Sequence, residues 1–164
     1  MKKHKNKQMI VAVSGGFDPI HIGHVRMMEE AKKLAEKLAR NNSQKAKLVV
    51  IINNDNWLVK KKGYFFMSQN ERKEIIEAIR YVDQVILTKH PKNPTDMSVC
   101  QALLEIRPDI FCNGGDRKNE NDIPETAVCK KINCQMVFNT GHGGKIQSSS
   151  WLLGKFAENY KKNP

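Results

Sequence analysis

Val11-Ala12-Val13-Ser14-Gly15-Gly16-Phe17-Asp18-Pro19-Ile20-His21-Ile22-Gly23-His24 is the stretch on which the reading of this chain turns. An apolar, β-branched run ends in two glycines. An aromatic, an acid and a proline follow, then two histidines separated by Ile-Gly. A strand that turns through glycines into a helix is where α/β proteins hold nucleotide phosphates, because the helix N-terminus presents N–H groups and partial positive charge. Histidines three apart at a helix start lie on one face. Both imidazoles can then meet a ligand held over the first turn. Protonated or hydrogen-donating, they would stabilise charge on a phosphoryl group, a reaction governed by positioning and electrostatics. A lone histidine here would read as a cap or a core residue; the pair points to chemistry. Neither G-x-G-x-x-G nor a Walker sequence is present.

Working outward, strand and helix patterns alternate. Met9 to Ser14 reads as a buried strand. From Ile22 to about Arg40, Met27, Ala31, Leu34, Ala35 and Leu38 recur at helical spacing, with Glu29, Glu30, Lys32, Lys33, Glu36 and Lys37 on the other face. Leu48-Val49-Val50-Ile51-Ile52 is a continuous apolar run, the mark of a strand covered on both faces. After Asn53-Asn54-Asp55 comes a loop or short helix carrying Lys60-Lys61-Lys62. Ser68 and Glu71 have capping-box spacing before a helix with Ile75, Ile76 and Ile79. Asp83 to Leu87 is a third strand, Thr95 to Ile106 a helix, and Asp109 to Cys112 a fourth strand that ends at Asn113-Gly114-Gly115-Asp116. Ile123 to Lys131 is a helix, with Pro124 allowed in its first turn. Gln135 to Phe138 is a fifth strand. Ser148-Ser149-Ser150 caps a last helix with Leu152, Phe156 and Tyr160 on one face.

This order predicts an α/β protein: a single Rossmann-like parallel sheet of about five strands with helices on both faces. Residues 1–8 read as a disordered basic tail and residues 9–164 as one domain, which suits a chain of 164 residues. Ligands then belong at the carboxyl ends of the strands.

Composition narrows the classes. No apolar run is long enough for a membrane span, and no signal-peptide core follows the basic start. The expectation is a cytoplasmic protein. The four cysteines, Cys100, Cys112, Cys129 and Cys134, show no C-x-x-C pair and read as reduced thiols rather than zinc ligands. The net charge of +11 admits nucleic acid, anionic lipid or a polyanionic small molecule. No basic stripe with interleaved aromatics is present, which argues against nucleic acid.

Gly16-Phe17-Asp18-Pro19-Ile20-His21-Ile22-Gly23-His24 resembles the G-x-F-D-x-x-H-x-G-H signature of the nucleotidyltransferase superfamily that carries the HxGH motif. Within it the chain is similar to the small cytidylyltransferases of the glycerol-3-phosphate type, and next to the heptose-type sugar-phosphate adenylyltransferases. Glu71 to Asp83 looks like the cytidylyltransferase block E-R-x-x-x-x-x-x-x-R-Y-V-D. Asn113-Gly114-Gly115-Asp116 is nearer the G-G-D of the heptose enzymes, and Ser148-Ser149-Ser150 stands where the family has its serine-threonine signature. The four blocks occur in the family's order.

The resemblance implies transfer of NMP from an NTP to a small phosphorylated polyol or sugar, with release of pyrophosphate. CTP is the favoured donor and ATP the alternative, with Mg²⁺ carried on the nucleotide. It implies catalytic roles for His21, His24, Lys60 and Lys61. It places Ser14, Gly15, Gly16, Phe17, Asp18, Gly23, Gly115, Asp116, Lys145, Ser148, Ser149 and Ser150 around the nucleotide, Asp116 near base or ribose. Arg72, Asn54 and Asp55 go with the acceptor, Arg72 because a planar fork suits phosphate. A homodimer is implied by the resemblance alone. One departure stands out. The family's arginine before the last helix is missing from Asn139 to Ser148, where Lys145 or His142 would supply the charge. The rival readings are an aminoacyl-tRNA synthetase fragment, against which a missing lysine loop speaks, and a catalytically silent nucleotide-binding module, against which both histidines speak.

Overall fold

The computed structural model describes residues 8–114, 123–142 and 147–162. Five strands, β1 (Gln8–Gly15), β2 (Lys45–Ile52), β3 (Gln84–Leu87), β4 (Ile110–Gly114) and β5 (Gln135–Thr140), form one parallel sheet in the order β3-β2-β1-β4-β5. The sheet is the predicted Rossmann-like one. Strand order reverses beside β1, so the crevice of such a sheet opens between β1 and β4. Residues 1–7 of the expected tail lie outside the described residues. Gln8, counted with that tail, instead pairs with Lys45 as the first rung of the β1–β2 ladder.

Alternation along β1 splits the core into two layers. Val11 and Val13 pack with Met28, Ala31 and Ala35 of α1 (Ile22–Asn41) and with Ile76 of α3 (Gln69–Glu77). Ala12 faces the other way, toward Leu103 of α4 (Cys100–Ile106) and Cys129 of α5 (Glu125–Ile132). Alanines on the buried stripe of α1 let that helix lie close on the sheet. The second strand is buried from Leu48 to Ile52, as its unbroken apolar run requires. Cys112, Cys129 and Cys134 are buried and form no disulfide.

Several boundaries differ from the sequence reading. The stretch after Asn54 is a helix, α2 (Asp55–Lys62), closed by Gly63 at φ 85°. The fourth helix begins at Cys100, not Thr95: the Asp96 carboxylate accepts from Ser98 N, and Glu125 accepts from Val99 N, so those residues form a turn. The fifth begins at Glu125, not Ile123. Glu30, read as solvent-facing, takes the N–H groups of Gly141 and His142 on one oxygen, both at 2.8 Å. The last helix, α6 (Ser149–Lys162), buries none of its residues, and its Phe156–Tyr160 stripe lies in the open.

Met28 is fully buried between α1 and the sheet. Met28→Ala is expected to cost about 2–5 kcal/mol of stability by transfer and cavity terms, read by chemical denaturation; a loss below about 1 kcal/mol would contradict this core.

Candidate active site

At the carboxyl ends of β1, β4 and β5 lies a cleft of about 360 Å³. Its floor is the Ser14–Asp18 turn. His21, Gly23 and His24 form one wall and Gln147–Ser150 another, while Trp57, Lys61 and Lys62 border it from α2.

The two histidines are fixed by the helix they start. His21 is the N-cap of α1, and its Nδ1 accepts from Gly23 N at 3.1 Å. His24, at the third helical position, turns back so that its Nδ1 accepts from His21 N at 3.3 Å. This is a capping box built from two imidazoles instead of a hydroxyl and a carboxylate. The rings stack with centroids 3.7 Å apart. A nitrogen that accepts carries no proton, so each ring bears its proton on Nε2. Burial, with His21 and Lys62 nearby, pushes His24 down to about 3. Of the two options open from sequence, protonated or hydrogen-donating, the geometry selects the second.

Packing leaves little room for a side chain at the glycines here. A Cβ on Gly15 would come within 2.9 Å of the Phe17 ring, one on Gly16 within 3.0 Å of Leu58, and one on Gly23 within 3.0 Å of His21. Phe17 itself turns its ring into the core, at φ 53°, and meets the His24 ring in a T-shaped contact with centroids 4.9 Å apart. Asp18 is buried and gives both carboxylate oxygens to backbone, Phe66 N and Met67 N, each at 2.7 Å. It anchors the chain after α2 while bordering the cleft.

The lysine run separates on its helix. Lys60 bonds Asn93 at 2.7 Å and does not border the cleft. Lys61 lies 4.6 Å over the Trp57 ring and does border it. Lys62, which sequence reasoning named only as part of the run, also borders the cleft and donates to Asp18 O at 3.2 Å. Burial lowers its pKa, with Asp18 opposing and Lys61 and Arg72 adding to the fall.

The three residues expected to hold the acceptor do other work. Arg72 is 1 % exposed. Its guanidinium donates to Gly16 O and Asn53 O at 2.7 Å, to Met67 O at 3.0 Å, and pairs with Asp55 at 2.7 Å. Asn54 caps α2 through Trp57 N and donates to His90 O. None of the three borders the cleft. They clamp the ends of β1 and β2 to α2 and α3, so a buried hub replaces the expected acceptor contacts.

Ser148, Ser149 and Ser150 border the cleft at the start of α6, and the Ser149 hydroxyl donates to Pro19 O at 2.7 Å. That bond ties the α6 N-terminus to the loop before His21. Two helix starts therefore converge on one point, an arrangement suited to polyphosphate. Gly115, Asp116 and Lys145 lie outside the described residues. Asn53, Asn113 and Thr140, buried polar residues at the ends of β2, β4 and β5, border the cleft and were missed. Their signal was a polar residue closing each apolar run.

The cytidylyltransferase-like family profile matches residues 12–150, which takes in both helix starts, the end of β1 and the other four strands. The chain belongs to the cytidylyltransferase-like family. Similar members include the FAD synthase of Archaeoglobus fulgidus, 30 % identical over 125 residues covering 76 % of this chain and 79 % of the relative. The glycerol-3-phosphate cytidylyltransferase of Bacillus subtilis is 30 % identical over 128 residues, 78 % of this chain and 83 % of the relative. Among solved structures, the lipopolysaccharide core biosynthesis protein from Thermoplasma volcanium has a TM-score of 0.59 at 27 % identity, covering 80 % and 96 % of the two chains. The chain is thus an enzyme, a nucleotidyltransferase. Among the described residues, no helix is long and apolar enough to cross a membrane.

Two outcomes follow. Arg72→Lys leaves at least one buried carbonyl unpaired and is expected to lower stability by about 1–3 kcal/mol in chemical denaturation; unchanged stability with only a raised acceptor KM would return Arg72 to the acceptor. Because His24 is held near 3 when folded and ordinarily titrates near 6.5, the unfolded chain binds the extra proton between those values. Stability from His24 is therefore whole above pH 6.5 and lost as pH falls toward 3. His24→Gln should flatten the stability profile over that window, and an unchanged profile would contradict the buried neutral ring.

Proposed function

We propose that this nucleotidyltransferase moves an adenylyl group from ATP to the phosphate of a small phosphorylated polyol, releasing pyrophosphate. The observation that carries the transfer chemistry is the pair of Nε2–H donors held over the glycine turn by their own capping bonds. An acceptor phosphate oxygen attacks the α-phosphorus, and the bond from that phosphorus to the bridging oxygen of pyrophosphate breaks. Negative charge grows on the α-phosphate oxygens and the leaving group. His21 and His24 donate to that charge from Nε2, and the start of α6 with Ser148–Ser150 receives the β- and γ-phosphates. Lys62, at the border with α2, meets the acceptor phosphate.

Mg²⁺ belongs to the substrate in this reading. Among the described residues bordering the cleft, Asp18 is the carboxylate, and both its oxygens are engaged by backbone N–H groups. The nucleotide phosphates would hold the metal, which would draw charge from the leaving group.

The choice of ATP rests on where the two family blocks fall. The block from Glu71 to Asp83 that favours CTP does structural work. Arg72 is the buried hub, and Asp83 accepts from Leu48 N and Lys32 at 2.6 Å. That block therefore carries little information about the base. The Gly114-Gly115-Asp116 block, of the adenylyltransferase kind, begins at the cleft itself. The FAD synthase relatives, whose named product has an adenosine half, agree with it. CTP is the second reading, favoured by the glycerol-3-phosphate cytidylyltransferase relative. The family resemblance, and nothing in a single chain, supports a homodimer.

The test is pyrophosphate release with ATP and with CTP against FMN, glycerol 3-phosphate and a panel of sugar phosphates. ATP is expected to react with at least one acceptor, and His24→Ala to lower kcat by about a hundredfold or more. No release with any pair, or a His24→Ala variant changed only in KM, would defeat the proposal.

A further inference from the structure

Three amide side chains, Gln44, Asn53 and Asn113, have a buried polar atom with no hydrogen-bond partner among the described residues. Gln44 lies at the far end of the sheet, before β2. Asn53 and Asn113 both border the cleft, on opposite sides of β1. An unpaired polar group in the interior is costly, and a native structure retains one where something else completes it. In Asn113 the unpaired atom is the donor, Nδ2, and the residue is 4 % exposed.

We infer that Asn113 reads the nucleoside of the bound nucleotide, its Nδ2 donating to an acceptor atom of the base or the ribose. The inference rests on the nucleotidyltransferase reading of the cleft. The backbone supplies the placement. Cys112 pairs with Val13 of β1 and with Val137 of β5, but Gly114 pairs with Thr140, so the β4–β5 ladder breaks at Asn113. Asn139, in the break, has φ 57°. Bulges of this kind re-aim side chains beside active sites. Asn113 also stands at the reversal of strand order, where this fold takes its nucleotides. His21, His24, the α6 start, Lys61 and Lys62 line the same cleft. Asn113 enters it from β4, across β1 from the end of β2 that leads into α2 with Lys61 and Lys62.

The mechanism needs nothing from Asn113, so its effect belongs to recognition. A site built to hydrogen-bond a ligand discriminates strongly once the ligand fills it, because its polar group is otherwise left unpaired. The same unpaired group makes the ligand-free protein less stable than its shape allows.

The experiment titrates ATP, CTP and inorganic tripolyphosphate calorimetrically, with Mg²⁺, into the wild type, Asn113→Leu and the smaller Asn113→Ala. Melting temperatures are taken with and without nucleotide. Asn113→Leu should weaken the preferred nucleotide by about tenfold or more, leave tripolyphosphate within about twofold, and keep or raise the ligand-free melting temperature. Asn113→Ala should show the same split between nucleotide and tripolyphosphate. A loss confined to one nucleotide assigns the contact to the base; an equal loss for ATP and CTP assigns it to the ribose. Unchanged nucleotide affinity, or tripolyphosphate weakened as much as the nucleotides, overturns the inference. A wild type that binds tripolyphosphate but no nucleotide overturns it and the proposed function together, whereas nucleotide binding without turnover counts against the function alone.

Discussion

Everything at this site depends on two backbone-to-imidazole hydrogen bonds, Gly23 N to His21 and His21 N to His24. A helix start leaves N–H groups that need acceptors, and serine, threonine or a carboxylate usually supplies them. Here imidazoles do so, and the substitution has chemical consequences. Accepting on Nδ1 fixes the tautomer and the ring plane together. The stacked pair then presents Nε2–H donors whose orientation is set before any ligand arrives. A Cβ on Gly23 would press on the His21 ring, and the Phe17 ring packs T-shaped against His24. Catalysis by preorganised donors asks for this: no reorganisation at the moment charge moves.

A second constraint sits under the first. The glycine turn and the end of β2 expose carbonyls to the interior, and such groups must be paired. Arg72 meets Gly16 O, Asn53 O and Met67 O with one guanidinium and keeps its own charge matched by Asp55. Asp18 meets two N–H groups of the neighbouring loop. The arginine and the aspartate thus hold the phosphate loop from below, while the Ser149–Pro19 bond holds it from the side of α6. A charged pair with good geometry and satisfied partners can be buried at tolerable cost; removing one member leaves the other stranded.

The strands, the order of elements and the α1 start were legible because each follows from a local rule: period, capping spacing, glycine before a helix. The Ser68–Glu71 capping box is present as its spacing predicts. The misses share a physical origin. Arg72 and Glu30 sit in amphipathic helices at positions where charge ordinarily means solvent, and only tertiary contacts show that each meets distant backbone. Which of Lys60, Lys61 and Lys62 reaches the cleft depends on a helical phase that three identical residues cannot reveal. Asp18 belongs to the signature that marks the site, yet its carboxylate serves the loop. A motif records what the site requires, and that includes its scaffolding. The polar residues closing β2, β4 and β5 were visible as letters, but their burial is a property of the finished sheet.

The claim that the histidines act as fixed, neutral Nε2–H donors is tested most directly by ¹⁵N NMR of the imidazoles of the ligand-free protein through a pH titration. The account predicts that at neutral pH both His21 and His24 show a protonated Nε2 and an unprotonated, hydrogen-bonded Nδ1, and that His24 keeps this signature well below its ordinary midpoint of 6.5. A His24 ring that titrates near 6.5, or that carries its proton on Nδ1, would contradict it.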